Sequence, residues 1–133
     1  MNKIAKFIDN ERGQPWTIRI VEEGDKYGRD DCLTYEKDEP VVEFYDADHP
    51  HDIDPISGTI LGQFVSRYYI STIMDGNGGG LNLMGYEPKW TINSLAMDSI
   101  REYIQKFANT EGWSWERDGM FGHKFYRNEE LVN

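Results

Sequence analysis

Residues 15–46, PWTIRIVEEGDKYGRDDCLTYEKDEPVVEFYD, decide the fold that we expect for this chain. The run at 15–21 alternates between two sets of side chains, which is the pattern of a half-buried strand. Two further β-prone runs, at 32–36 and 41–46, are separated by a short polar turn that ends in a proline. The stretch therefore predicts three strands in an antiparallel, N-terminal meander.

The rest of the chain adds helices and short strands to this meander. Apolar pairs recur about every four residues over 60–74, which predicts a helix, although the β-branched residues there leave a strand open. A second helix is predicted at about 94–108, where Asn93 occupies the N-cap position. Short strands are expected between the helices, and Asp-Gly at 118–119 predicts a tight C-terminal hairpin. The predicted fold class is α+β, a mostly antiparallel sheet packed with two helices, in a single domain over 1–133.

The negative charge of the chain is concentrated in one quarter of its length. The formal net charge is −10, and residues 22–54 alone hold 13 acids and 3 bases. The remaining 11 acids and 11 bases cancel. A surface built from this acidic segment would repel nucleic-acid phosphates and anionic lipid and would attract basic partners or cations. We therefore expect neither direct nucleic-acid binding nor membrane binding.

Cysteine usage and the N-terminal sequence bear on where the protein works. Cys32 is the one cysteine, so no internal disulfide can form, as is typical of a reducing compartment. The N-terminal stretch lacks the continuous apolar run of a signal peptide, and no run approaches the length that crosses a bilayer. We expect a soluble, cytoplasmic protein.

The loop YDADHPHDIDP, residues 45–55, combines four aspartates with two histidines. His49 and His51 flank a proline, which favours an extended chain and places both imidazoles on one side. Two histidines and a carboxylate suit a first-row transition metal, which gives an alternative metal set of Asp46, His49, His51 and Asp52. The spacing matches no specific metalloenzyme motif, and a solvated acidic loop is the other interpretation. We therefore predict no cofactor.

The function that the charge pattern favours is binding without catalysis. A small, stiff scaffold with clustered carboxylates can engage a basic protein surface. The residues that we predict to contact the partner act collectively, and they are Asp25, Asp30, Asp31, Glu36, Asp38, Glu39, Glu43, Asp46, Asp48, Asp52 and Asp54.

A finer hypothesis names the partner as a nucleic-acid-binding enzyme. Duplex DNA carries one charge per roughly 1.7 Å of axis, and carboxylates on neighbouring strands could imitate part of that array. The chain would then inhibit a host nuclease or defence complex and would come from a mobile element, such as a phage or a plasmid. Two alternatives stay open. One is a structural or homo-oligomeric assembly module, and the other is a small metal-dependent enzyme that uses the Asp46–Asp54 loop.

Overall fold

A computed structural model describes residues 1–27, 33–36, 38–75, 80–82, 91–120 and 122–132. It has the predicted α+β class, with mostly antiparallel sheets and two helices. In chain order, the described elements are β1 (Ile4–Asp9), β2 (Gln14–Val21), β3 (Val41–Asp46), β4 (Asp52–Ile53), β5 (Ile60–Tyr69), α1 (Ile70–Met74), β6 (Leu81–Asn82), β7 (Thr91–Ile92), α2 (Ser94–Glu111), β8 (Trp113–Asp118), β9 (Gly122–Arg127) and β10 (Glu130–Leu131).

The main sheet has the strand order β1-β2-β3-β5-β4, with antiparallel pairing between neighbours. Its first three strands form an N-terminal meander that contains the predicted strands at 15–21 and 41–46, but its third member is β1, which was not predicted, and not the run at 32–36. The predicted strand at 32–36 is not a strand in its described residues, which make an isolated bridge, from Thr34 to Lys26, and backbone hydrogen bonds to residues 24–27.

The helix predicted over 60–74 is wrong for most of its length. Residues 60–69 form β5, and only the last five residues of the predicted range form a helix, α1. A bulge explains the misleading spacing, since Phe44 pairs with Ser66 while Tyr45 pairs with Phe64, which leaves Val65 as an extra residue. An extra residue resets the two-residue alternation of a strand, so apolar side chains fall in pairs that imitate helical spacing.

The second helix begins where the sequence predicts and runs three residues further than expected. Asn93 Oδ1 accepts a hydrogen bond from the amide of Ala96 at 2.8 Å, which caps the first turn of α2. Ile92 and Met97 are both buried in the core cluster, as a hydrophobic staple requires. Gly112 ends the helix with φ 76°, a left-handed conformation that glycine adopts without a steric penalty.

Asp9, at the end of β1, links this helix start to the sheet. Its carboxylate accepts hydrogen bonds from the backbone amide and the side-chain amide of Asn93, at 3.0 and 2.8 Å. The same carboxylate accepts from the amide of Glu11 in the β1–β2 turn, at 3.1 Å. One buried aspartate therefore fixes both the turn and the position of the helix.

The core lies between one face of the main sheet and α2. Side chains of β2 and β3 meet those of the helix there, and the C-terminal hairpin closes one end with Trp113 and Phe125. The predicted Asp-Gly turn is confirmed, because β8 and β9 pair up to Asp118 and Gly122 and Gly119 has φ 76°. The predicted pair of short strands is present as β6 and β7, although residues 83–90 lie outside the described part. Within the described ranges, no helix has the length and apolar character to cross a membrane.

Candidate functional site

Five of the eleven predicted contact residues are buried in the structure. Each of these residues is at most 7% exposed, so their carboxylates contact the protein itself more than its surroundings. They are Glu39 (7%), Glu43 (0%), Asp46 (0%), Asp52 (6%) and Asp54 (4%). Asp25 is half-buried, whereas Glu36, Asp38 and Asp48 are exposed, and Asp30 and Asp31 lie outside the described residues. The acidic segment therefore divides into a buried and an exposed set.

A buried arginine holds part of this buried set on the face of the sheet that is remote from α2. Arg19 and Glu43 are cross-strand partners of β2 and β3, and their side chains are almost inaccessible. The guanidinium of Arg19 donates to Glu43 Oε1 at 3.2 Å, and its Nε lies 2.7 Å from Asp54 Oδ1. It also donates to the backbone carbonyl of Lys26 at 2.5 Å. Arg19 therefore joins the sheet to two loops, one that contains Lys26 and one that contains Asp54.

The protonation of groups around Arg19 follows from this arrangement. Burial alone raises the pKa of Asp54, but hydrogen bonds from Ser57 and the nearby Arg19 guanidinium outweigh burial and hold that pKa below its usual value. Burial, and then the negative charge of Glu43, raise the pKa of Tyr45 well above its usual value. The Tyr45 hydroxyl therefore stays protonated and donates to Glu43 Oε1 at 2.9 Å.

Glu39 has a different structural role, at the start of α1. Its Oε1 accepts hydrogen bonds from the backbone amide of Ser71, at 3.0 Å, and from the Ser71 hydroxyl. Tyr69, at the N-cap position, makes no side-chain cap bond, so Glu39 supplies the acceptor from 32 residues away. The Tyr35 hydroxyl donates to the carbonyl of Glu39 at 2.6 Å. These contacts fix the middle of the acidic segment to the start of α1.

The histidine loop does not gather the four residues of the alternative metal set around one point. His49 Nδ1 lies 3.2 Å from Asp46 Oδ2, and His51 Nδ1 lies 3.1 Å from Asp52 Oδ1, so each histidine has its own aspartate. In the described part of the chain, no group of three or more His, Cys, Asp or Glu side chains is placed to hold a metal ion. The aspartates therefore act on the histidines and do not form a shared four-ligand centre with them.

Three exposed acidic residues, Glu23, Glu36 and Asp38, lie on segments that backbone and Arg127 contacts hold together at one end of the sheet, and we call them the acidic corner. The amide of Gly24 donates to the carbonyl of Tyr35 at 2.8 Å, so Glu23 and Glu36 directly flank one hydrogen-bonded pair. Asp38 is tied to the same end through Arg127. The guanidinium of Arg127 donates to the Asp38 carbonyl at 2.9 Å and lies 3.6 Å from a carboxylate oxygen of Glu22.

Asp48 is remote from the acidic corner. It follows the far end of β3, whereas Asp38 precedes the near end. The six residues of β3 separate the two ends by about 17 Å, at roughly 3.4 Å per residue. The exposed carboxylates of the predicted contact set that the structure describes therefore do not form one continuous face, because Asp48 lies away from the corner.

A charged cluster that sequence reasoning missed connects α1 to the C-terminal hairpin. Asp75 Oδ2 accepts from Arg117 Nε and Nη2, at 3.0 and 2.5 Å, and lies 3.1 Å from His123 Nε2. Hydrogen bonds from Arg117, and then from His123, lower the pKa of Asp75. The partners are 42 and 48 residues apart in sequence, so no local pattern could have indicated the cluster.

A cavity of about 250 Å³ beside β5 is the second feature that the sequence did not indicate. Its lining includes Tyr27, Tyr35, Tyr69 and Arg67, and the Arg67 guanidinium lies 4.9 Å from the centre of the Tyr27 ring. The arginine is therefore engaged with an aromatic face.

Comparison of the chain with known protein families, with characterised protein sequences and with solved structures found no match. The side chains of the described residues therefore supply the indications of function. Two arrangements carry it: the exposed acidic corner and the histidine pair with its buried aspartates.

Proposed function

We propose that this chain is a non-enzymatic binding protein that engages a basic surface of another protein through the acidic corner. The observation that supports the proposal is the convergence of exposed carboxylates from two arms of the chain. Over residues 22–27, 33–36 and 38, five acids stand against one base, Lys26. Among the other described cations near this end, Lys3, Arg127 and Arg19 are paired with carboxylates, and Arg67 lies over the Tyr27 ring.

The buried carboxylates give this corner a fixed shape. The arm before the corner is held by the bond from Arg19 to the Lys26 carbonyl, and the arm after it by the bond from Tyr35 to Glu39. A surface that is already ordered loses little conformational entropy when it binds. Three of the buried acids support this corner, Glu43 and Asp54 through Arg19 and Glu39 through its backbone carbonyl.

The physical basis of recognition is charge complementarity. A net charge of −10 attracts a basic partner over distances set by the Debye length, which is about 8 Å at physiological salt. As a finer proposal, the partner is a nucleic-acid-binding enzyme, such as a nuclease of a host defence complex. Its phosphate-binding surface supplies the required positive charge. A cytoplasmic location and an origin in a phage or a plasmid belong to this finer proposal.

A charge-reversal experiment tests the proposal. In the first variant, Glu23, Glu36 and Asp38 are all changed to lysine. In the matched control, Glu11, Glu102 and Glu130, which are exposed elsewhere on the molecule, are changed to lysine. Both variants have the same net charge, so a difference between them reports the location of the charges and not their number.

The immobilised chains are incubated with cell lysate at low salt, and bound proteins are identified as the salt concentration rises. Each exposed carboxylate contributes about 1 kcal/mol or less, so reversing three should weaken a specific complex by about a hundredfold or less. We expect the wild type and the control to retain the same basic protein and the corner variant to lose it. Equal retention by all three chains, or binding that does not respond to salt, would contradict the proposal.

Assembly is a second candidate function, favoured by an exposed apolar strip at the edge of the sheet. Ile53 and Ile60 face each other across β4 and β5 with exposed fractions of 51% and 53%, and Ile56 between them is 63% exposed. An open edge strand with apolar side chains can pair with a second copy. Sedimentation of the chain at micromolar concentration distinguishes the functions, since a monomer removes the case for self-assembly.

A further inference from the structure

His49 and His51 are oriented in the same way, each by its own aspartate. In both residues the Nδ1 atom faces a carboxylate oxygen, at 3.2 Å for Asp46 and at 3.1 Å for Asp52. A carboxylate accepts a hydrogen bond and cannot donate one, so it favours the tautomer that carries its proton on Nδ1. The lone pair is then on Nε2 in both rings.

Both aspartates are themselves fixed by the sheet. Asp46 uses Oδ1 to accept from Gln14 Nε2 at 2.7 Å, which leaves Oδ2 for His49. Asp52 uses Oδ2 to accept from the amide of Phe64 at 3.0 Å, which leaves Oδ1 for His51. The side chains of Asp46 and Asp52 are only 1% and 9% exposed, whereas the imidazoles are 57% and 70% exposed. Each pair thus has a rigid buried base and an accessible ring.

The two rings open onto one shared space. A cavity of about 410 Å³ is lined by His49, Pro50, His51 and Gln63. Within the described part of the structure, neither Nε2 atom has a hydrogen-bond partner. Pro50 restricts the backbone between the two histidines, which reduces the entropy that would be lost on bringing both rings to one ligand.

We propose that His49 and His51 bind one divalent transition-metal ion through their Nε2 atoms, with Asp46 and Asp52 as positioning residues. Histidines that bind metals usually donate the other ring N–H to a carboxylate, which orients the ring and raises its basicity. That arrangement occurs here twice, around one cavity. Water, together with the Gln63 amide oxygen, supplies the remaining ligands, because the chain provides two histidines and no third strong ligand in its described part.

The donor atoms select the class of metal. Imidazole nitrogen suits Zn²⁺, Cu²⁺ and Ni²⁺, whereas Mg²⁺ and Ca²⁺ prefer sets of oxygen ligands. The overall negative charge of the protein favours any cation at this surface. The site is separate from the acidic corner, so metal binding can be tested independently of the proposed binding to another protein.

Calorimetric titration of the full, tag-free chain with ZnCl₂ and with NiCl₂ at about pH 7.5 tests the site. We expect one ion per chain, and at least about a tenfold loss of affinity in each of His49→Ala and His51→Ala. His123→Ala is the matched control, because the third histidine is bonded to Asp75 and does not line the cavity. Affinity should fall as the pH is lowered to about 5.5, since protons compete with the metal ion for the imidazole nitrogens.

A further variant tests whether Asp46 positions the His49 ring for metal binding. Asp46→Asn preserves the size of the side chain but removes the charge that favours the Nδ1–H tautomer. We expect a loss of affinity of about 10- to 100-fold, accompanied by a change in the ¹⁵N shifts of the His49 ring before metal is added. Circular dichroism of each variant confirms that the chain is folded. Absence of binding at about 0.1 mM metal in the wild type, or equal binding in the His49→Ala, His51→Ala double variant, would overturn the proposal.

Discussion

Replacement of Arg19 by methionine tests whether one buried cation holds the acidic segment to the sheet. The arginine contacts Glu43 and Asp54 and donates to the Lys26 carbonyl. Methionine preserves much of the length of the side chain but brings neither charge nor donors. Two carboxylates that are less than a tenth exposed would then remain without their cation.

The expected loss can be worked out from this geometry. Breaking a buried ion pair by removing one partner costs about 3–5 kcal/mol of unfolding free energy, because the other charge stays buried. Small domains unfold with about 5–15 kcal/mol in total, so the variant should lose a large fraction of its stability. With a urea dependence of about 1–3 kcal/mol per molar, the unfolding midpoint should fall by at least about 1 M.

Urea unfolding followed by tryptophan fluorescence provides the assay, since Trp16 and Trp113 are buried in the core. A triple variant, in which Glu43→Gln and Asp54→Asn accompany the methionine, removes the stranded charges together with the cation. We expect the triple variant to be more stable than Arg19→Met alone. The reasoning is refuted if Arg19→Met unfolds within about 1 kcal/mol of the wild type, or if the triple variant is the less stable of the two.

Three further predictions concern stability. The pKa of Asp54 is lowered in the folded chain, so the stability that its carboxylate contributes is complete above the unfolded pKa of about 3.9 and is lost as the pH falls through the folded pKa. The urea midpoint should therefore be lower at about pH 3 than at about pH 7, and Ser57→Ala should make this difference smaller. Asn93→Ala removes both the helix cap and the side-chain hydrogen bond to Asp9, so thermal unfolding should show a loss of about 1–2 kcal/mol in unfolding free energy. An unchanged melting temperature would mean that the cap does not stabilise α2. Gly62→Ala should be strongly destabilising, because φ is +118° there and an added Cβ would lie 2.3 Å from a backbone oxygen of β3. A variant with wild-type stability would mean that Gly62 does not lie this close to the backbone of β3.

The elements that the sequence predicts correctly are those with local signals. β2, β3 and α2 are recognisable from alternation, helical spacing and an N-cap residue within a few positions of each other. β5 fails because its bulge at Val65 shifts the alternation, and a bulge depends on the partner strand and not on the run itself. β1 was missed although Ala5 and Phe7 pack against the core at alternate positions, a signal that six residues give only weakly.

The acidic segment shows a different limit of sequence reasoning. Counting charges located the excess of negative charge in residues 22–54 but could not show which of those carboxylates are buried in the fold. The partners that bury them are remote in sequence, as Arg19 is from Glu43, 24 residues away. The sequence indicated more about the histidine pair, because extended geometry around Pro50 places both imidazoles on one side of the chain. The role of the aspartates as orienting groups needed the register of β3, β4 and β5.

The bond between Asp9 and Asn93 has a consequence for how the protein is made. Their separation is 84 residues, and ribosomes add about 5–20 residues per second, so Asn93 emerges about 4 to 17 s after Asp9. The β1–β2 hairpin, whose turn Asp9 also ties, can form within microseconds of its synthesis. The residues that hold the start of the long helix are therefore synthesised seconds before the helix itself, and we expect the helix to complete a hairpin that is only marginally stable alone.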